Sequence, residues 1–219
     1  MKKQALIIGL GQFGMAAAKS LSELGVEVLA VDKSQRRVSI AAEFVTEAVR
    51  FDATDEQALL KTAPKNRDVC ICAIGDESRE SSILCTALLR QMGAKKVFAR
   101  GNDPLHERIL RSIGAHEVIN PEAEFGSRIA AHLVYEDVVG IVTMGRGMAF
   151  GELHLPPSFE GKTLIDLALP RRFGVTVAAI ERQGKTTVAP NPQMPLEKDD
   201  VLVVISQKEN IVKLMEESV

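Results

Sequence analysis

Tryptophan is absent from this chain and tyrosine occurs once. That leaves little aromatic surface for stacking the bases of a single strand. Neither sign of charge dominates, with 27 Lys and Arg against 29 Asp and Glu for a net charge of −2. The basic residues do not gather into a patch that would attract a phosphate backbone, so no nucleic-acid partner is expected. Long hydrophobic runs are missing as well. The longest, such as Val201–Ile205, have the length of a strand, far short of the ~20 residues of a membrane span. Three cysteines, Cys70, Cys72 and Cys85, are too few for a disulfide scaffold and point to a reducing cytoplasm. The first short strand begins almost at once, so no leader peptide is expected.

What remains is an ordinary globular composition over 219 residues, enough for one domain or two. Up to about residue 119, short continuous apolar runs alternate with amphipathic stretches. The runs are Ala5–Ile8, Val26–Val31, Val45–Phe51, Val69–Ile74, Lys96–Ala99 and Glu117–Ile119. Continuous apolar strands fit a parallel sheet covered on both faces. Helices are expected over Phe13–Leu24 and Ser78–Met92, with Gly25 and Gly93 as their C-terminal caps. The expectation is an α/β protein, a Rossmann-like doubly wound parallel sheet. After Asn120-Pro121 one helix is expected from Glu122 to about Tyr135, followed by a glycine-rich segment. A hairpin turning at Gln183-Gly184 and a strand leading into a last helix complete a smaller α+β C-terminal lobe. The expected division is 1–120, 121–138 and 139–219. The last segment is small for an independent core and is expected to complete it by dimerising.

The stretch "IIGLGQFG" carries Gly9, Gly11 and Gly14 in G-x-G-x-x-G spacing. Gly9 permits a tight turn out of the strand, Gly11 lets a phosphate approach the backbone, and Gly14 lets the helix close on the sheet. The helix then offers unpaired N–H groups and about half a positive charge to an anion. Asp32 follows Gly14 by 18 residues at the end of "VLAVD", where an acid accepts the hydroxyls of an adenosine ribose and disfavours a 2′-phosphate. Two more strand ends join that edge. Asp52-Ala53-Thr54 would stand by the adenine and Ile74-Gly75-Asp76 by the phosphates. Asp55 and Thr54 also suit a helix cap. Arg100, ending "KVFAR", can reach a phosphate or end its strand as a solvated charge.

Chemistry to accompany such a site is not visible. Tyr135 has Val139 four residues on, so a Tyr-x-x-x-Lys pair is missing. His106, His116, His132 and His154 lie scattered without partners at ligand or triad spacing, and zinc spacing is lacking. Cys70 and Cys72 share one face of a strand and read as core.

With "IIGLGQFG", "VLAVDKS", "FDATDE", "CAIGD" and "SIGAHEVINPEAEFG" followed by the smaller lobe, the chain resembles the RCK or KTN proteins. These are cytosolic regulatory subunits of bacterial potassium-uptake systems of the TrkA and KtrA type, here in the form with one RCK_N and one RCK_C lobe. The resemblance implies nucleotide contacts at Gly9, Gly11, Gln12, Phe13, Asp32, Lys33, Asp52, Ala53, Thr54, Ile74, Gly75 and Arg100. KtrA-like members carry an arginine where Gln12 stands; TrkA-like N-lobes commonly carry glutamine and bind NAD(H) as well as ATP. The implied ligand is an adenine nucleotide, ATP/ADP or NAD(H). Glu122 matches an acid that in some relatives helps hold a divalent cation, and it equally suits the first turn of a helix. Asp166, Arg171 and Arg172 fit a cyclic di-AMP segment loosely, but Thr176 replaces its asparagine, so that ligand is not expected.

The resemblance further implies a homo-oligomer, from dimer to octameric ring. Its partner would be a membrane K+ channel or transporter subunit of TrkH or KtrB type, at the inner face of the cell membrane. No enzyme activity is implied. A small NAD-dependent oxidoreductase is the alternative that the glycine motif and Asp32 allow.

Overall fold

The computed structural model describes residues 2–75, 78–134, 138–143 and 147–216; of residues 128, 131, 132, 134, 138–143, 215 and 216 it describes the backbone alone. The chain divides into two compact units, Met1–Glu122 and Ala123–Val219.

The first unit alternates strand and helix: β1 Gln4–Ile8, α1 Gln12–Glu23, β2 Glu27–Asp32, α2 Gln35–Ala41, β3 Glu47–Arg50 and α3 Glu56–Lys61. It continues with β4 Val69–Cys72, α4 Arg79–Gln91, β5 Val97–Arg100, α5 Pro104–Ser112 and β6 Glu117–Ile119. The six strands lie in the order β3-β2-β1-β4-β5-β6, all parallel. The doubly wound sheet is thus the expected one. Its apolar runs are continuous because successive residues serve opposite faces. Ala5 and Ile7 pack with Ala18, Val28 and Val38 on one side. Leu6 and Ile8 pack with Leu29, Val31, Cys72 and Leu89 on the other. Cys70, Cys72 and Cys85 are free and buried, and burial pushes the Cys70 thiol up to about 12. Gly25 and Gly93 both take φ +79° past their helices, the left-handed conformation an L side chain resists.

The helix α6, Pro121–Val134, opens the second sequence block; Tyr135 lies outside the described residues. Then follow β7 Val138–Thr143, β8 Met148–His154, α7 Leu164–Leu167, α8 Leu169–Phe173, β9 Thr176–Arg182, β10 Lys185–Val188, β11 Val201–Gln207 and α9 Lys208–Glu216. Their antiparallel sheet has the order β10-β9-β11-β8-β7. The glycine-rich segment, left undivided by the sequence pattern, contributes two paired strands, β7 and β8. Gln183 and Gly184 turn the β9–β10 hairpin with φ +51° and +74°, as a two-residue turn requires. Leu153, Ile180, Leu202, Val204 and Ile211 form this unit's core. Among the described residues, no helix is long and apolar enough to cross a membrane.

Candidate functional site

Strands β1 and β4 are neighbours although the chain leaves β1 toward β2. Connections depart in opposite directions there, which opens a crevice at the strands' C-terminal ends. A cleft of about 460 Å³ occupies that place.

Its floor is the β1–α1 turn. Gly9 takes φ +92°, and a Cβ there would stand 3.0 Å from the Ile74 amide nitrogen. At Gly14 a Cβ would come within 1.9 Å of the Gly9 carbonyl oxygen. At Gly11 a Cβ would meet nothing within 4 Å; the missing side chain opens space toward the cleft rather than relieving a clash. Gly11 is the N-cap of α1 and no side chain caps that helix. The first N–H groups of α1 are therefore available to a ligand's oxygens. A second uncapped helix start, Ser78 before α4, lines the same cleft. Ser78 and Ser81 bring their hydroxyl oxygens to 2.5 Å of one another.

At the far side stands Asp32, only 5% exposed. Its Oδ2 accepts from the Leu10 N–H at 2.6 Å and its Oδ1 from the Ser34 N–H at 2.8 Å. The Arg37 guanidinium lies 3.6 Å from Oδ2. Asp52 accepts from both the N–H and the hydroxyl of Thr54 at 3.0 and 2.8 Å. Those bonds hold the Asp52 carboxyl below its usual range.

Arg100 and Glu122 close the cleft as an ion pair. Arg100 pairs in register with Ile119, so the chain three residues further on passes its side chain. The guanidinium lies against Gly75, where a Cβ would stand 2.7 Å from Nη1.

Of the positions expected at a nucleotide, Gly9, Gly11, Gln12, Asp32, Lys33, Asp52, Ala53, Ile74, Gly75 and Arg100 line this cleft, as does Glu122, expected at a cation, whereas Phe13 and Thr54 do not. Thr54 is turned to Asp52, and Asp55 caps α3 through the N–H groups of Gln57 and Ala58. Asp76 lies outside the described residues. Arg37, Ser78 and Ser81 also line the cleft and escaped the sequence reading. Arg37 stands in the first turn of α2, five residues after Asp32 ends β2, a spacing that could have revealed it.

The donor set suits a phosphorylated ligand: two bare helix starts, an open Gly11 and a guanidinium. Among the described residues, no three His, Cys, Asp or Glu side chains come together in an arrangement that could hold a metal ion. In the second unit, Asp166 forms a capping box with Thr163, and Arg171 and Arg172 are exposed.

Residues 5–121 match the model of the TrkA-N domain, and residues 152–218 that of the TrkA-C domain. The chain is 35% identical over 209 residues to Ktr system potassium uptake protein A of Vibrio alginolyticus, covering 95% of this chain and 94% of the relative. It is 34% identical over 211 residues to Ktr system potassium uptake protein C of Bacillus subtilis, covering 96% of this chain and 95% of the relative. Among solved structures it shares its fold with the GsuK channel bound to NAD, at a TM-score of 0.64 and 18% identity. That match takes in 98% of this chain but 39% of the other. Both family matches and the whole-length likeness to Ktr proteins lead to one assignment: the chain belongs to the TrkA/Ktr family of potassium-uptake proteins.

Proposed function

We propose that this chain is a cytosolic, nucleotide-binding regulatory subunit of a potassium-transport system. The observation that carries it is the cleft at the β1/β4 crevice, where two uncapped helix starts meet Asp32 and Arg100. The relatives' names supply the system: they are potassium-uptake proteins. Membership of that family sets aside the oxidoreductase alternative.

The ligand in this reading is an adenine nucleotide, ATP, ADP or NAD(H). Asp32 stands where ribose hydroxyls would come, and the open face of Gly11 where the phosphates would lie. Gln12 brings no charge to the phosphates, which suits a dinucleotide as well as ATP. A divalent cation at Glu122 would have to draw that carboxylate away from Arg100.

The regulatory step is a change in the shape of a homo-oligomeric ring beneath a membrane partner of TrkH or KtrB type. Helix α6 supports assembly: Phe125, Ile129 and Leu133, spaced four apart along it, are 55%, 38% and 75% exposed, an apolar stripe suited to a second copy. A ligand shifts a two-state ring only through unequal affinity for its states. Moving it from 1:99 to 99:1 takes about 5.5 kcal/mol, or about 0.7 kcal/mol per site over eight coupled sites.

Calorimetric titration of the full chain with ADP, ATP, NAD+ and NADH tests the binding. At least one is expected to bind, and Asp32→Asn to weaken it roughly 10- to 100-fold, as for loss of a charged hydrogen-bond partner. Affinity unchanged in Asp32→Asn would remove the proposed site. Native mass spectrometry is expected to find an oligomer; a monomer at micromolar concentration with and without nucleotide would refute the ring.

A further inference from the structure

The ion pair at the end of the cleft is lopsided. Arg100 is 15% exposed and Glu122 61%. Arg100 is fixed on β5 beneath Gly75, and its buried Nε has no partner among the described residues. A guanidinium carries five donors, and the hydrogen bond to Glu122 occupies one nitrogen, Nη2. Glu122 stands in the first turn of the 14-residue α6. The positive end of that helix favours a carboxylate there with or without Arg100, and most of its surface already meets water. Arg100 therefore needs an anion more than Glu122 needs Arg100.

We propose that Glu122 is a resident counter-ion that competes with the ligand's phosphoryl group for Arg100, making the pair a specificity element of the nucleotide site. This rests on the nucleotide reading above. Ligands that bring a phosphoryl oxygen displace Glu122; a nucleoside without phosphate does not. The exchange favours the ligand, because a phosphoryl group offers several acceptors and more charge to a planar donor fork. Glu122 then turns to water, where it is already largely solvated. Neither strand has to move, since the β5–β6 register that brings the two residues together is unaffected. The released carboxylate belongs to the helix that continues into the second unit.

The proposal fixes the sign of one mutation. Removing the competitor with Glu122→Gln is expected to tighten ADP binding to the full chain about two- to fivefold, the usual worth of a partly exposed ion pair. Adenosine affinity stays unchanged, and the gain is the same in EDTA and in Mg2+. Arg100→Gln is expected to weaken ADP roughly 10- to 100-fold, and adding Glu122→Gln to it should then gain nothing. Titration calorimetry reads all four proteins. If Glu122 instead served a cation, Glu122→Gln would weaken ADP in Mg2+ alone, which overturns the competition, as would an unchanged ADP affinity. If the wild-type chain takes up no ADP, the nucleotide reading itself fails and the competition falls with it. Wild-type binding with a weaker or unchanged variant sinks the competition alone.

Discussion

Gly14→Ala is expected to lower the stability of the first unit by at least about 4 kcal/mol, while Gly11→Ala leaves stability within about 0.5 kcal/mol and removes nucleotide binding. The two glycines stand one helical turn apart in the same motif, yet they are glycines for opposite reasons. A methyl at Gly14 would sit 1.9 Å from the Gly9 carbonyl oxygen and 3.1 Å from the Ala73 Cβ. The first is backbone and the second a methyl fixed directly to it, at the ends of β1 and β4, so relief requires lifting α1 off the sheet. A methyl at Gly11 meets nothing within 4 Å, and φ there is −66°, a value alanine adopts freely. Its space is the space a phosphate would use. Differential scanning calorimetry with ADP titration separates the two effects. A Gly14→Ala protein melting with the wild type, or a Gly11→Ala protein binding ADP at wild-type affinity, would show that this turn does not work as described.

Arg182→Ala is expected to cost the second unit about 3–5 kcal/mol. Asp200 is fully buried. The Arg182 Nε donates to its Oδ1 at 2.7 Å, Nη2 to its Oδ2 at 2.8 Å, and the Glu197 N–H also to Oδ2 at 2.8 Å. Removing the guanidinium leaves a buried carboxylate with one N–H donor. Burial alone would raise the Asp200 carboxyl, but Arg182 and the Glu197 N–H outweigh it and hold it below its ordinary value of 3.8. The sign of the pH dependence follows. A carboxyl depressed in the folded state contributes stability that is complete above its unfolded value and is lost as pH falls through the folded one. Acid sensitivity from this pair is therefore expected below about pH 4. Arg182→Ala should remove it, while Arg182→Met with Asp200→Leu should recover much of the loss. Chemical denaturation at pH 7 and at pH 3 measures both; a single variant within 1 kcal/mol of wild type at pH 7 would mean that the pair does not brace the hairpin.

Much of the first unit was legible because its signals are local. The continuous apolar runs become strands buried on two sides, with Leu6 and Ile8 facing one core and Ala5 and Ile7 the other. Gly9, Gly14 and Asp32 were readable from spacing, since the motif's glycines answer to contacts within one turn of chain. Thr54 reads from sequence either as a neighbour of the adenine or as a cap, and its hydroxyl satisfies Asp52; a short hydroxyl two residues after an aspartate closes such a turn readily. The partnerships that decide the energetics were hidden, because each depends on strand register. Arg100 finds Glu122 only because Arg100 lies opposite Ile119. Arg182 finds Asp200 only because Glu181 lies opposite Val201. Strands β7 and β8 were obscured by glycines that interrupt their alternation.

Asp32 grips the Leu10 N–H with one oxygen and the Ser34 N–H with the other, so the residue proposed to face a ribose also tensions the turn proposed to meet the phosphates. The two halves of a nucleotide would thus be read by parts that share a single side chain, and their binding energies are not separable. In that reading a nucleoside and a pyrophosphate offered apart would not add up to the nucleotide, and the difference would be a property of the protein rather than of the link between them.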